Sequence, residues 1–278
     1  MDKFENRIES TKKLIHRDKL VVPGNYEEEL VRFVLSFLLN NKYPTIFSTK
    51  PSTYDIEFSK VLSNLQYYFK DDEILKSYHD IIINRGIINQ WLSPYEYFTT
   101  FKGPQMAWDL NIPKELDELS HIFIGHEVMH ILATHKNPEE WKYLLLYSEI
   151  VPLLYELIQA DNENDEKRNS IISFRYYKML EMYNSAYSNE VLDRLENDKM
   201  SLKYYQMPEN IYFISFYYTI VVYALYKQDP QEILSIIKKV LKQELTTLNM
   251  LKQLNIVRYL QPKLFKEGTE YVLKLTKK

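Results

Sequence analysis

Three of the five residues in His126-Glu127-Val128-Met129-His130 are the ones a hydrolytic zinc site needs. Histidines four positions apart fall on one face of a helix, where both neutral rings can ligate one Zn²⁺. The carboxylate beside the first ligand, Glu127, then points toward a metal-held water and can act as its general base. The flanking sequence predicts the helix that carries them. Leu116, Leu119, Phe123, His126, His130 and Ala133 recur at alternating steps of three and four, which is one helical stripe. Ile122, Ile124, Val128, Met129, Ile131 and Leu132 make the other faces apolar as well. A helix apolar nearly all round is buried. Its expected span is about 113–135, with Pro113 in the first turn. Polar groups in such a helix need partners. Two readings follow: metal ligands, or core histidines satisfied by hydrogen bonds.

A third ligand should come from the next helix. Asn137-Pro138-Glu139-Glu140 offers a cap, a first-turn proline and acids against the helix dipole. The helix it opens is expected over 138–160, antiparallel to the first after a tight turn at 135–137. Eighteen residues separate His130 from Glu149, close to what a helix-turn-helix return requires. His126, His130 and Glu149 would then hold one Zn²⁺ per chain, with water in the fourth position. Glu156 lies two turns further on the same face. It either orients a ligand histidine or is an ordinary surface or salt-bridged acid.

His-Glu-x-x-His followed by a glutamate on the next helix resembles the gluzincin metallopeptidases. Ser148-Glu149-Ile150-Val151-Pro152-Leu153-Leu154-Tyr155-Glu156 resembles the ligand helix of the thimet oligopeptidase and oligoendopeptidase F family. There too the metal glutamate is followed by an acid seven residues later. Tyr204-Tyr205-Gln206-Met207-Pro208 and Ile211-Tyr212-Phe213-Ile214-Ser215-Phe216 resemble the family's proline-and-tyrosine segment. The stretch from Tyr95 to Phe101 resembles its edge strand. The resemblance covers roughly residues 90–230. It implies zinc peptidase chemistry, with a tyrosine hydroxyl stabilising the tetrahedral intermediate. Tyr212 is the first candidate by alignment, and Tyr204 or Tyr205 the next. The chain departs from the family at Met129, where a glycine is usual, and at Phe216, where a tyrosine is usual. It also lacks the downstream histidine, since none follows His135.

These residues imply a zinc-dependent peptidase acting on oligopeptides. The rival from another class is a non-catalytic helical peptide-binding protein on a degenerate metallopeptidase scaffold. The missing histidine favours that rival, and the intact Glu127 opposes it. A third arrangement is a carboxylate di-iron site, because Glu118-Leu119-Ser120-His121 and Glu127-Val128-Met129-His130 are both Glu-x-x-His. Such sites need the two pairs on different helices, whereas these fall on one.

The rest of the chain must position that site. We read 278 residues as a single, mainly α, helical zincin-type domain with at most a small edge sheet. Residues 1–92 form an N-terminal helical lobe, and 93–278 the catalytic core. Helices are expected at 3–18, 25–41, 54–69, 72–84 and 167–197, and again after Asp229-Pro230. Residues 95–102 read as a strand or a plain loop. Five scattered glycines form no phosphate-binding pattern, and a net charge of −3 gives no reason to expect nucleic acid. The absence of cysteine removes disulfides and thiolate zinc sites and fits a cytoplasmic location. The apolar run 211–226 is short for a membrane span and reads as a buried core helix.

Overall fold

A computed structural model of the chain describes residues 25–41, 50–84, 87–91, 97–102, 107–135, 145–186, 208–256 and 261–275, with Asn6 and Glu9 as isolated positions. Among the described residues the architecture is mainly α with two small sheets. The helices are α1 (Asn25–Asn41), α2 (Tyr54–Phe69), α3 (Asp72–Ser77), α4 (Ser120–Thr134), α5 (Leu145–Ser148), α6 (Ile150–Asn162), α7 (Asp165–Ala186), α8 (Pro208–Gln228), α9 (Pro230–Leu241), α10 (Thr247–Gln253) and α11 (Pro262–Leu275). A π-helical turn, Tyr78–Ile83, extends α3. The expected helix at 3–18 lies outside the described residues, apart from Asn6 and Glu9.

Helix α8 is the hub, packing against α1, α6, α7, α9 and α11. Phe216, Tyr217, Ile220, Val221, Val222, Tyr223 and Ala224 are all buried, so the long apolar run is core. No helix among the described residues is long and apolar enough to cross a membrane. A Cβ at Gly268 would lie 2.3 Å from the Ile220 carbonyl oxygen, so glycine is what lets α11 approach α8. Helix α9 starts where its sequence signals placed it. Asp229 caps it by accepting from the Glu232 N–H, and Pro230 occupies the first turn.

The metal-motif helix is shorter than 113–135. It begins at Ser120, and the chain before it is extended. Strand β4 (Ala107–Pro113) lies between β2 (Ile87–Trp91), parallel to it, and β3 (Phe98–Lys102), antiparallel to it. Pro113 therefore ends a strand and opens no helix. The physical reason lies in the residue pattern. Apolar Trp108, Leu110 and Ile112 alternate with polar Asp109 and Asn111, a strand period, although all five are buried. β5 (Leu116–Asp117) then pairs with β1 (Pro51–Ser52) just ahead of the helix. Of the stretch 95–102, read as strand or loop, Phe98–Lys102 form β3, at one edge of the three-stranded sheet among the described residues.

Candidate metal centre

Helix α4 carries the motif but has no cap of its own, since its first flanking residue is Leu119. The cap comes from α2. Glu57, fully buried, accepts from the His121 backbone N–H at 2.8 Å and lies 3.0 Å from His121 Nδ1. Its other oxygen takes hydrogen bonds from Ser52 Oγ at 2.5 Å and Lys60 Nζ at 2.7 Å. Burial alone would raise this carboxyl, but four hydrogen bonds to the charged form, led by that from the His121 ring, hold it down at about 2. A carboxylate at a helix N-terminus also complements the macrodipole. At the other end of α4, Gln243 Nε2 donates to the Leu132 carbonyl at 2.8 Å. Two distant segments thus fix both ends of the helix that bears the histidines.

His126 and His130 are buried on the side of α4 that faces Glu149. His126 Nε2 lies 3.2 Å from Glu149 Oε2, His130 Nε2 lies 3.3 Å from the same oxygen, and the two Nε2 atoms are 3.2 Å apart. A tetrahedral zinc with bonds of about 2.0 Å places its ligand atoms about 3.3 Å apart. The observed triangle has the dimensions of one face of such a tetrahedron. Three atoms that act as ligands through their lone pairs should repel at this distance, so a cation or a proton belongs among them. These three residues are the group among the described residues with ligand atoms close enough to hold a metal. Glu127 Oε1 stands 3.9 Å from His126 Nε2, beside the triangle but not part of it.

Glu149 reaches this position because the second helix is broken there. The expected continuous helix 138–160 is instead α5 and α6, with Glu149 between them; residues 136–144 lie outside the described residues. Pro152 explains the break. It has no N–H for the Ser148 carbonyl, and its ring crowds that carbonyl. The helix restarts with Glu149 as its cap residue, whose carbonyl accepts from Leu153 at 2.9 Å. Gly125 brings the two ligand helices together, since a Cβ there would lie 2.4 Å from Tyr155 Cε1.

Behind the triangle sits a second layer. Glu156 Oε1 is 2.8 Å from His126 Nδ1, an ion-pair contact bent away from a straight hydrogen bond. The same carboxylate is held by Arg175 from α7. Nε donates to Oε2 at 2.8 Å, and Nη2 donates to Oε1. Burial disfavours charge on the His126 ring, but the Glu156 carboxylate, helped by Glu149, outweighs it and pushes the ring up to about 9. Burial likewise opposes ionised Glu149, and the His130 and His126 rings overcome it, holding that carboxyl well below its usual range. Arg175 and His126 lower Glu156 in the same way against its burial. With both histidine rings neutral, as metal ligands must be, three buried carboxylates here face one largely buried guanidinium. The two charges left over equal those of one divalent cation.

Other expected groups fall elsewhere. Glu118 pairs with Lys167 at 3.1 Å and His121 with Glu57, so the di-iron arrangement lacks its second pair. Tyr204 and Tyr205 lie outside the described residues. Tyr212 is helical, in the second turn of α8, and its side chain is outside the described ones. Sequence reasoning missed Glu57 and Arg175. The signal for Arg175 was available: a buried Glu156 needs a cation, and the fold-back at 163–164 returns α7 past it. No protein-family model, curated protein or solved structure matches this chain.

Proposed function

We propose that this chain is a zinc-dependent peptidase, with His126, His130 and Glu149 as metal ligands and Glu127 as general base. The observation that carries this reading is the convergence of His126 Nε2, His130 Nε2 and Glu149 Oε2 to 3.2–3.3 Å from one another. The surplus of two negative charges around them supports it. A bound divalent metal would supply Lewis-acid chemistry, making a water acidic and polarising a carbonyl. Glu127 takes the proton from the attacking water and later gives it to the leaving amine. Glu156 sits against Nδ1 of His126, so that Nε2 presents its lone pair. Strand β3 packs against α4 and, among the described residues, is paired on one side only. Its free edge can hold an extended oligopeptide by main-chain hydrogen bonds. Tyr212, Tyr204 and Tyr205 remain the hydroxyl donors proposed for the oxyanion. The partner we propose is a peptide, with no nucleic acid or membrane, and the location cytoplasmic.

Elemental mass spectrometry on protein purified without chelator, followed by cleavage of a broad peptide pool, tests this. The expected result is about one zinc per chain and metal-dependent cleavage. Glu127→Gln is expected to keep the metal and lose turnover by a factor of about 10² or more. Native-rate hydrolysis by that variant would refute the mechanism. Zinc binding without cleavage of any peptide would favour a peptide-binding protein on this scaffold.

A further inference from the structure

We propose that Arg175 is the positioning residue of the metal centre, acting through Glu156 to fix the His126 ring for metal ligation. This rests on the metal-site reading above. Glu156 has two oxygens and three demands on them. Oε1 faces His126 Nδ1 at 2.8 Å and also accepts from Arg175 Nη2, while Oε2 accepts from Arg175 Nε at 2.8 Å. A carboxylate on a helix rotates freely about its last torsion unless both oxygens are held. The planar fork of a guanidinium does that, because two parallel N–H groups match two oxygens. The guanidinium is itself seated against the edge-to-face pair of Phe123 and Phe174, whose ring centroids are 5.1 Å apart and each 5.9 Å from its central carbon. Phe123 lies one turn before His126 on α4, so the same helix that carries the ligand also seats the arginine. The chain of contacts runs from an aromatic seat to Arg175, to Glu156, to Nδ1, and so to the orientation of Nε2.

A purely electrostatic role makes the opposite forecast. Arg175 is a cation beside a cation site, and its charge acts on Glu149 and Glu127 as well as on Glu156. Were charge its whole effect, removing it would tighten metal binding, and lysine would restore the native affinity. Positioning forecasts weaker binding in both variants, because a lysine ammonium is a point charge without the fork.

The test is zinc affinity, measured on the full chain by competition with a chromophoric chelator, for the native protein, Arg175→Lys, Arg175→Gln, Glu156→Gln and the double variant Glu156→Gln with Arg175→Gln. Arg175→Lys and Arg175→Gln are each expected to weaken zinc binding by about 10–100-fold. The Co²⁺-loaded Arg175→Lys protein is expected to show an altered ligand-field absorption spectrum. The double variant is expected to bind no more weakly than Glu156→Gln alone. Native affinity in Arg175→Lys, tighter binding in Arg175→Gln, or additive losses in the double variant would each overturn the proposal. Circular dichroism of the metal-free proteins identifies a variant that fails to fold. If Arg175→Gln is such a case, Arg175→Lys, which keeps the charge and most of the length, decides the matter. A native protein that binds no zinc would bring down the metal-site reading as well, whereas zinc binding unaffected by Arg175→Lys would bring down this inference alone.

Discussion

Replacing Glu57 by glutamine is expected to loosen the metal helix at its first turn and to do so in a pH-dependent way. Glu57 caps α4 through the His121 N–H, and its carboxyl is held at about 2, against a usual 4.5. Each unit of such a shift is worth about 1.4 kcal/mol between the two protonation states, so the full shift would correspond to roughly 3 kcal/mol. Lys60, one of the stabilising donors, is 37% exposed on its side chain, and solvent screening of that pair brings the figure to about 2 kcal/mol. The folded carboxyl is lower than the unfolded one, so its stabilisation is complete above the unfolded value. It is lost as pH falls from about 4.5 toward about 2. Urea unfolding of the native protein and Glu57→Gln at pH 7, 5 and 3.5 measures the difference. It should be about 2 kcal/mol at the first two and fall to about three-fifths of that at the third. A gap that is absent at pH 7, or that stays constant down to pH 3.5, would refute the assignment of Glu57 as a charged cap.

Gly125→Ala is expected to cost about 1–3 kcal/mol by forcing the Tyr155 ring away from α4. That ring has little room to yield, since it is 5% exposed and its hydroxyl accepts from Asn64 at 3.3 Å. Urea unfolding reads this directly, and a neutral result would mean the two ligand helices do not approach so closely. Zinc affinity is expected to rise about tenfold per pH unit up to about pH 9, because the metal-free His126 ring is charged and must release its proton to ligate. Calorimetry in buffers of different ionisation enthalpy should count about one proton released per zinc at pH 7, and none released would contradict the raised histidine.

The parts of the site legible in the sequence were those carried by helical spacing. His126 and His130 share a face because they are four apart, and Glu149, on the next described helical segment, meets them. Glu156 follows at the same face two turns on. The start of the metal helix was not legible, because Ile112, Leu116 and Leu119 fall at helical spacing although Ile112 and Leu116 lie in strands. Pro113 is as good at a strand end as in a first helical turn. Only the pairing of Ala107–Pro113 with strands on both sides decides it, and pairing is a long-range fact. Glu57 was hidden for the same reason, being sixty-four positions from the N–H it caps.

The buried charges give the strongest reason to regard this as a working site rather than a satisfied core. A helix as apolar as α4 could pack with leucines at 126 and 130 and would be relieved of desolvating them. Instead the chain buries two histidines, three glutamates and most of an arginine within one contact network. Replacing such a cluster with apolar residues is often neutral or stabilising, by about 1–4 kcal/mol. Without metal, a proton kept on His126 offsets only one of the two leftover charges. That is a poor use of a neutral ligand if the fold alone were at stake. The arrangement becomes economical once two positive charges enter between the three ligand atoms. The metal-free protein should then gain stability from zinc by mass action, about 2.7 kcal/mol at a free concentration one hundred times Kd.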